Sequence, residues 1–194
     1  MQFEEAKEFI LAKLRADLPQ HLTYHSLNHI EDVYSAAAFL GKEEGITGDD
    51  HLLLLTAALF HDSGFMQGPK EHERVSCEIA RQHLPGFGYT DAQLEKIDGM
   101  IMATQIPQSP KNLLEEIICD ADLDYLGRDD FELIGNKLFA ELSMFGILNN
   151  EDEWNRLQVR FLEKHQYFTK TAIRLRGDKK QAHLDNLKKL TGRL

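Results

Sequence analysis

The sequence predicts an all-α protein, and two observations lead to that prediction. Apolar residues recur with helical spacing through almost the whole chain. No stretch alternates apolar and polar residues for long enough to indicate a β-strand. The 194 residues, of which 42% are hydrophobic and 28% charged, can also bury one sizeable core. We therefore expect a single helical domain over residues 1–194.

Short segments containing glycine or proline divide the helical pattern into nine predicted helices. These helices cover residues 3–18, 25–44, 50–61, 71–84, 91–103, 110–126, 129–145, 151–175 and 179–190. Thr90 and Gln93 have the spacing of a capping box before the fifth helix. Ser109 followed by Pro110 predicts the start of the sixth. In the C-terminal part, Trp154 and Phe161 are predicted to pack in the core.

Charge and cysteine content exclude several classes of partner. The chain has 22 basic and 32 acidic residues and a net charge of -10, which opposes broad contact with duplex nucleic acid or an anionic membrane. An anionic substrate must then be held locally, by a metal or a few cations. Cys77 and Cys119 form no CxxC pair, and no export signal or membrane-length apolar run is present. We expect a cytoplasmic protein, with its oligomeric state open.

The first element that carries chemistry is Tyr24-His25-Ser26-Leu27-Asn28-His29. His25 and His29 are four residues apart, so on a helix both project from one face, which continues toward the core through Val33 and Ala37. Two inward histidines one turn apart suit a metal ligand and a proton donor. Two histidines satisfied within the core are an equal alternative.

The second element, His61-Asp62, directly follows the apolar run from Leu52 to Phe60. A segment that is apolar nearly all round predicts a buried helix. An imidazole and a carboxylate at its inner end cost free energy unless they are paired or ligate a metal. An isolated His-Asp dipeptide is more often a simple hydrogen-bonded pair, so this element alone does not predict a metal site.

The third element places Asp120, Asp122 and Asp124 at alternate positions. On a helix, Asp122 has apolar neighbours three and four residues away, which predicts that it faces the core and needs a strong partner. Asp124 falls on a more polar side. Asp120 is ambiguous, and a solvated carboxylate, or one supporting a ligand, is its more common role.

Together, these three elements resemble the HD superfamily of metal-dependent phosphohydrolases, which is also similar to the catalytic core of cyclic-nucleotide phosphodiesterases. The resemblance covers residues 24–131 and leaves 132–194 without a matching motif. It implies an HD-type helical bundle with extra C-terminal helices. It also implies a divalent metal ion held by four residues, namely His29, His61, Asp62 and Asp122.

The resemblance further implies a chemistry in which His25 and Asp62 are catalytic. Imidazoles and carboxylates accept Mn, Fe, Mg, Zn, Co or Ni and leave positions open to water and substrate. Metal-activated water would cleave a phosphate mono- or diester of a nucleotide or another small phosphorylated metabolite, while His25 protonates the leaving oxygen. The alternatives are a metal-binding module that senses a nucleotide without turnover and an oxygenase with a two-iron site.

Weaker candidates lie outside this set. His72 and Asp120 are candidates for a second metal or for supporting the first, with a solvent-exposed histidine at a helix start the more common role for His72. Ser76 stands where an HExxH protease has its second histidine, and Thr104-Gln105 stands where two-metal relatives carry paired histidines. Arg128 and Lys70 are candidate phosphate-binding cations, although such residues are more often surface charges.

Overall fold

The computed structural model describes residues 1–192 and confirms the all-α prediction. Within this range it contains nine α-helices and no β-strand. The helices are α1 (Phe3–Asp17), α2 (Leu27–Glu43), α3 (Gly48–Phe60), α4 (His72–His83), α5 (Asp91–Ala103), α6 (Leu113–Asp122), α7 (Phe131–Met144), α8 (Glu151–Lys164) and α9 (Lys170–Leu190). Three 3-10 turns connect them, at Ser63–Met66, Leu84–Phe87 and Asp124–Gly127. In residues 1–192, none of the helices combines the length and hydrophobicity needed to cross a membrane.

Helix α3 forms the centre of the core. Every residue from Leu53 to Phe60 is buried, and the helix packs against α1, α2, α5 and α6. This burial is what an all-round apolar helix predicts, because no face can be left in water without losing hydrophobic stabilisation. The chain leaves α3 at His61, so His61 and Asp62 are placed in the interior.

The C-terminal helices pack over the 3-10 turn at Asp124–Gly127. Asp124 accepts hydrogen bonds from the Arg176 guanidinium at 2.7 and 3.0 Å, and a Cβ atom at Gly127 would collide with the Arg176 backbone. Glycine is therefore required for the close approach of the turn to α9. Helix α8 packs on α9, and α7 follows the turn.

The sixth helix is shorter than the sequence predicts. Thr90 and Gln93 form the predicted capping box before α5, but α6 begins at Leu113 rather than at Pro110. The Asn112 side chain accepts the Glu115 N–H and caps the helix there. The helix ends at Asp122 and continues as a 3-10 turn.

The predicted helix over 151–175 is interrupted, and the separate helix over 179–190 is part of α9. Residues 165–169 form an extended segment between α8 and α9. The Asp120 carboxylate accepts the backbone N–H groups of Phe168 and Thr169 at 2.9 and 2.8 Å. These bonds join residues distant in sequence and stabilise the break between the two helices. The Thr169 hydroxyl also caps α9 by accepting the Ala172 N–H.

Candidate metal centre

Three helices deliver four side chains to one cluster. His29 lies in the first turn of α2, His61 and Asp62 directly follow α3, and Asp122 ends α6. Asp122 Oδ1 lies 3.2 Å from His29 Nε2 and 3.5 Å from His61 Nε2. Asp62 Oδ2 lies 3.4 and 3.3 Å from the same two nitrogens. The structure therefore brings together the four residues predicted to hold the metal.

The donor atoms of this cluster fit a divalent cation. The Nε2 atoms of His29 and His61 are buried and have no hydrogen-bond partner. His61 Nδ1 lies 2.8 Å from the Ala58 carbonyl oxygen, an acceptor that requires the ring proton at Nδ1 and leaves the Nε2 lone pair free. One ligand atom each from His29, His61 and Asp122 lie within 4.8 Å of one another, a spacing compatible with metal bonds of about 2.0–2.2 Å.

The electrostatics of the cluster also favour a cation. Burial disfavours the charged imidazolium of His29, but the adjacent carboxylates of Asp122 and Asp62 outweigh it and raise the His29 pKa to about 9. Against the same opposing burial, the pKa of His61 is raised by Asp62 and Asp122. The two histidines hold the pKa of Asp122 at about 2, although burial acts in the opposite direction. Without a metal the cluster therefore attracts protons, which a metal must displace.

His72 faces this cluster rather than solvent, contrary to the more common role expected for it. Its Nε2 atom lies 3.4 Å from Asp62 Oδ1 and 3.4 Å from Glu73 Oε1. Glycine at position 64 allows the backbone at His72 to approach closely, because a Cβ atom on residue 64 would collide with the His72 carbonyl oxygen. Asp62 thus presents one oxygen to His29 and His61 and its other oxygen to His72. A second metal at His72 stays a prediction.

His25 is not on the same helix face as His29, which corrects the sequence prediction. Helix α2 begins at Leu27, and Ser26 is extended, so His25 precedes the helix. The buried Glu141 carboxylate accepts the N–H groups of Tyr24 and His25 at 2.9 and 3.1 Å and is paired with His25 Nδ1. These bonds replace helical ones and hold the residue outside α2.

The His25 ring is held on two sides. Its Nδ1 atom contacts Glu141, and its face stacks on Phe65 with ring centroids 3.9 Å apart. Burial opposes ionisation of Glu141, but its hydrogen bonds with His25 and the charge of that ring lower the Glu141 pKa below its ordinary value. An ionised acceptor at Nδ1 fixes the orientation of the ring. His25 lines the same cleft as Asp62, Asp122 and His72.

Asp120 lies apart from the cluster. It is fully buried rather than solvated, and its carboxylate accepts the Phe168 and Thr169 N–H groups and the Thr169 hydroxyl at 2.7 Å. Burial raises its pKa to about 6 despite these bonds. Its oxygens are thus committed to the segment before α9, two residues away from Asp122, the predicted metal ligand.

The two predicted phosphate-binding cations do not line the cleft. Arg128 forms ion pairs with Asp32 at 2.8 Å, Asp130 at 2.7 Å and Asp124 at 3.5 Å. Three carboxylates compensate its charge. Lys70 is exposed and is not among the residues that line the cleft. Neither side chain is brought to the cluster, and their role in binding phosphate stays a prediction.

Sequence reasoning missed two acidic residues near the cluster, Glu73 and Glu141. Both are buried. Glu141 lies three residues after Leu138, so both are on one side of α7, and Leu138 lines the cleft. An acidic residue among apolar residues on the inward side of this helix was the signal available in the sequence. Glu73 directly follows His72 and also lines the cleft. Its burial depends on how α4 packs and is not visible in the sequence.

A cleft of about 220 Å³ opens beside the cluster. Asp62, Asp122, His25 and His72 are among the residues that line it, and α7 and α8 contribute most of its apolar side chains. A small molecule in this cleft would contact Asp62, Asp122 and His25 at the same time. The arrangement therefore combines a candidate cation site, a candidate proton donor and a cavity.

Comparisons with known proteins identify the family and the fold. The family model described as "HD domain" matches residues 26–124, about half of the chain. The fold is similar to a predicted HD superfamily hydrolase from an uncultured Thermotogales bacterium, with a TM-score of 0.64 and 18% identity over 95% of this chain and 91% of that one. It is also similar to Bacillus subtilis YpgQ in complex with ADP, with a TM-score of 0.67 and 17% identity over 98% and 97%. No curated protein matches the sequence.

Proposed function

The chain belongs to the HD domain family, and on this premise we propose that it is a metal-dependent phosphohydrolase. Its substrate is the phosphate ester of a nucleotide or of another small phosphorylated metabolite. The observation that carries the proposal is the pair of buried, unpartnered Nε2 atoms of His29 and His61 facing the carboxylates of Asp62 and Asp122. A simple hydrogen-bonded histidine–carboxylate pair would leave no such donors unsatisfied.

The four clustered residues would hold one divalent cation, with His29, His61, Asp62 and Asp122 as its ligands. When bound, such a cation lowers the pKa of water and draws charge from a phosphoryl oxygen. The chain itself contributes the orientation of the ligands. The Ala58 carbonyl fixes the His61 ring through Nδ1, and support of this kind strengthens metal binding.

His25 would supply the proton that the leaving group needs. In the hydrolysis, the oxygen of water forms a bond to phosphorus, the ester P–O bond breaks, and the alcohol oxygen leaves with a proton from His25. The water releases one proton to solvent, and His25 takes up a proton from solvent before the next turnover. Glu141 and Phe65 hold the ring toward the cleft. A histidine suits this role because its ordinary pKa of about 6.5 lies near neutral pH. A binding module without turnover would have no use for this pair.

The nucleotide part of the proposal has two supports. A protein of similar fold was solved in complex with ADP. The cleft beside the cluster is also lined mostly by apolar and aromatic side chains with a few polar groups at the cluster, which is typical of small-molecule pockets.

The test is phosphate release from a panel of nucleotides and phosphate esters with added Mn²⁺. We expect turnover by the unaltered protein. In Asp62→Ala the rate should fall by at least about 100-fold, because the cation loses a ligand and activates water less well. Arg74→Ala, at an exposed ion pair on α4, is the control and should retain activity. Nucleotide binding without any turnover would overturn the proposal in favour of a sensing module.

A further inference from the structure

Most of the side chains that line the cleft beside the clustered histidines and carboxylates are apolar. One wall comes from the segment after α6, with Leu123, Tyr125 and Leu126. The opposite walls come from α7 and α8. The side chains contributed by these two helices are Phe131, Leu138, Leu142, Trp154, Leu157, Gln158, Phe161 and Leu162. Apart from Gln158, this set cannot hydrogen-bond a charged group through a side chain except at the indole of Trp154.

No lysine or arginine lines this cleft in the described part of the chain. Three carboxylates do line it, those of Asp62, Glu73 and Asp122. A divalent cation would neutralise two of these charges and leave about one negative charge at the cleft. A single phosphate group can still be held by the cation. A di- or triphosphate chain adds charges for which the cleft offers only the imidazoles of His25 and His72 and no lysine or arginine. Uncompensated charges next to apolar walls are strongly disfavoured.

Resting on the proposed function, we propose that the cleft selects a phosphate monoester whose alcohol carries an aromatic ring, and that it discriminates against polyphosphates. The phosphate lies at the cluster, and the ring lies between Tyr125 and the side chains of Phe131, Trp154 and Phe161. Aromatic side chains favour such a ring through stacked and edge-to-face contacts. Small alkyl monoesters would leave this surface in water and lose its contribution.

The cleft is continuous with the cluster, which identifies its occupant as a substrate rather than a protein partner. Tyr24, His25 and Asp122 line the same cavity as Trp154 and Leu157. Its volume of about 220 Å³ suits one small molecule. Any ligand that fills it also meets the residues placed in the hydrolytic site.

Trp154 provides a direct measurement of occupancy. It is the one tryptophan of the chain, it is buried, and it lines the cleft. At a fixed Mn²⁺ concentration, its fluorescence can be titrated with benzylphosphonate, methylphosphonate and tripolyphosphate. Phosphonates carry a C–P bond in place of the ester, so they are not hydrolysed and binding is read without turnover.

We expect benzylphosphonate to bind at least about tenfold more tightly than methylphosphonate, since burying an aromatic ring contributes more than this ratio requires. Tripolyphosphate should bind more weakly than benzylphosphonate. Leu142→Gln, within the cleft, should weaken benzylphosphonate about tenfold and leave methylphosphonate unchanged. Leu133→Gln is the matched control, because Leu133 lies on the same helix, is 65% exposed and does not line the cleft.

Two outcomes overturn the proposal. One is equal affinity for the benzyl and methyl compounds, and the other is tighter binding of tripolyphosphate than of benzylphosphonate. These outcomes are separate from failure of the proposed function. Preferred benzylphosphonate binding without turnover of any ester would overturn the hydrolase alone. Turnover of phosphate esters with no aromatic preference would overturn the assignment of the cleft.

Discussion

Replacing Thr169 with valine tests whether the bonds between Asp120 on α6 and the segment before α9 stabilise the fold. The Thr169 hydroxyl donates to Asp120 Oδ2 at 2.7 Å and accepts the Ala172 N–H at 3.1 Å. Valine has the same shape but makes neither bond. Loss of a helix cap costs about 1 kcal/mol, and loss of a hydrogen bond to a carboxylate costs about 1.5–3 kcal/mol. We therefore expect the free energy of unfolding to fall by about 3 kcal/mol.

The measurement is urea and thermal unfolding followed by circular dichroism. For a chain of this size, about 3 kcal/mol corresponds to a fall in Tm of about 6–12 °C. Thr169→Ser is the control, because it retains the hydroxyl and should lose less than about 1 kcal/mol. A valine variant within about 0.5 kcal/mol of the unaltered protein would refute the reasoning, as would a serine variant equally destabilised.

The size of this effect should depend on pH. Burial raises the Asp120 pKa above its ordinary value, to about 6. A group with a raised pKa contributes stability that is complete below its unfolded value and is lost as pH rises through the folded value. At about pH 8 the carboxylate is ionised and relies on the Thr169 hydroxyl, whereas at about pH 5 it is mostly protonated. The destabilisation by valine should therefore be larger at the higher pH, and equal values at both would contradict the assigned role of Asp120.

Three further predictions concern the candidate metal centre. Asp122→Ala should lose bound metal and Asp120→Ala should retain it, as measured by elemental analysis of dialysed protein; the reverse pattern would invalidate the assignment of Asp122. Glu141→Gln should lower turnover about 10- to 100-fold at unchanged metal content, because it weakens the orientation of His25. The measurement is steady-state kinetics with metal analysis, and unchanged turnover would contradict the prediction. Apparent metal affinity should rise with pH up to about 9, because the carboxylates raise the His29 pKa to about 9 and protons compete with the metal below that pH. Calorimetry that found no proton release on metal binding at neutral pH would disprove this competition.

The sequence predicted the parts of the site that depend on local patterns. The apolar run before His61 determined that α3 is buried and that His61 and Asp62 end in the interior. The apolar neighbours of Asp122 correctly placed it toward the cluster. These predictions succeeded because helical periodicity relates side-chain direction to residues only a few positions away.

The remaining features depend on contacts between distant residues. Asp120 fixes the break between α8 and α9 through bonds to Phe168 and Thr169, and no local signal distinguishes this from a continuous helix. Glu141 holds His25 from a position 116 residues later. Trp154 is buried as predicted, but the sequence did not indicate that it also lines the cleft. Tertiary partners of this kind override local propensity and cannot be derived from spacing.

The position of Glu141 on α7 has a consequence for how this protein can diversify. Residues 26–124 match the HD domain and contain the four clustered ligands, whereas the acid that orients His25 and most of the apolar cleft wall come from α7 and α8. On the proposed assignment, a fragment ending near Asp124 contains the four clustered residues but lacks the groups that orient His25 and line most of the cleft. We therefore expect substitutions in α7 and α8 to change the choice of ester without changing the residues proposed to hold the cation.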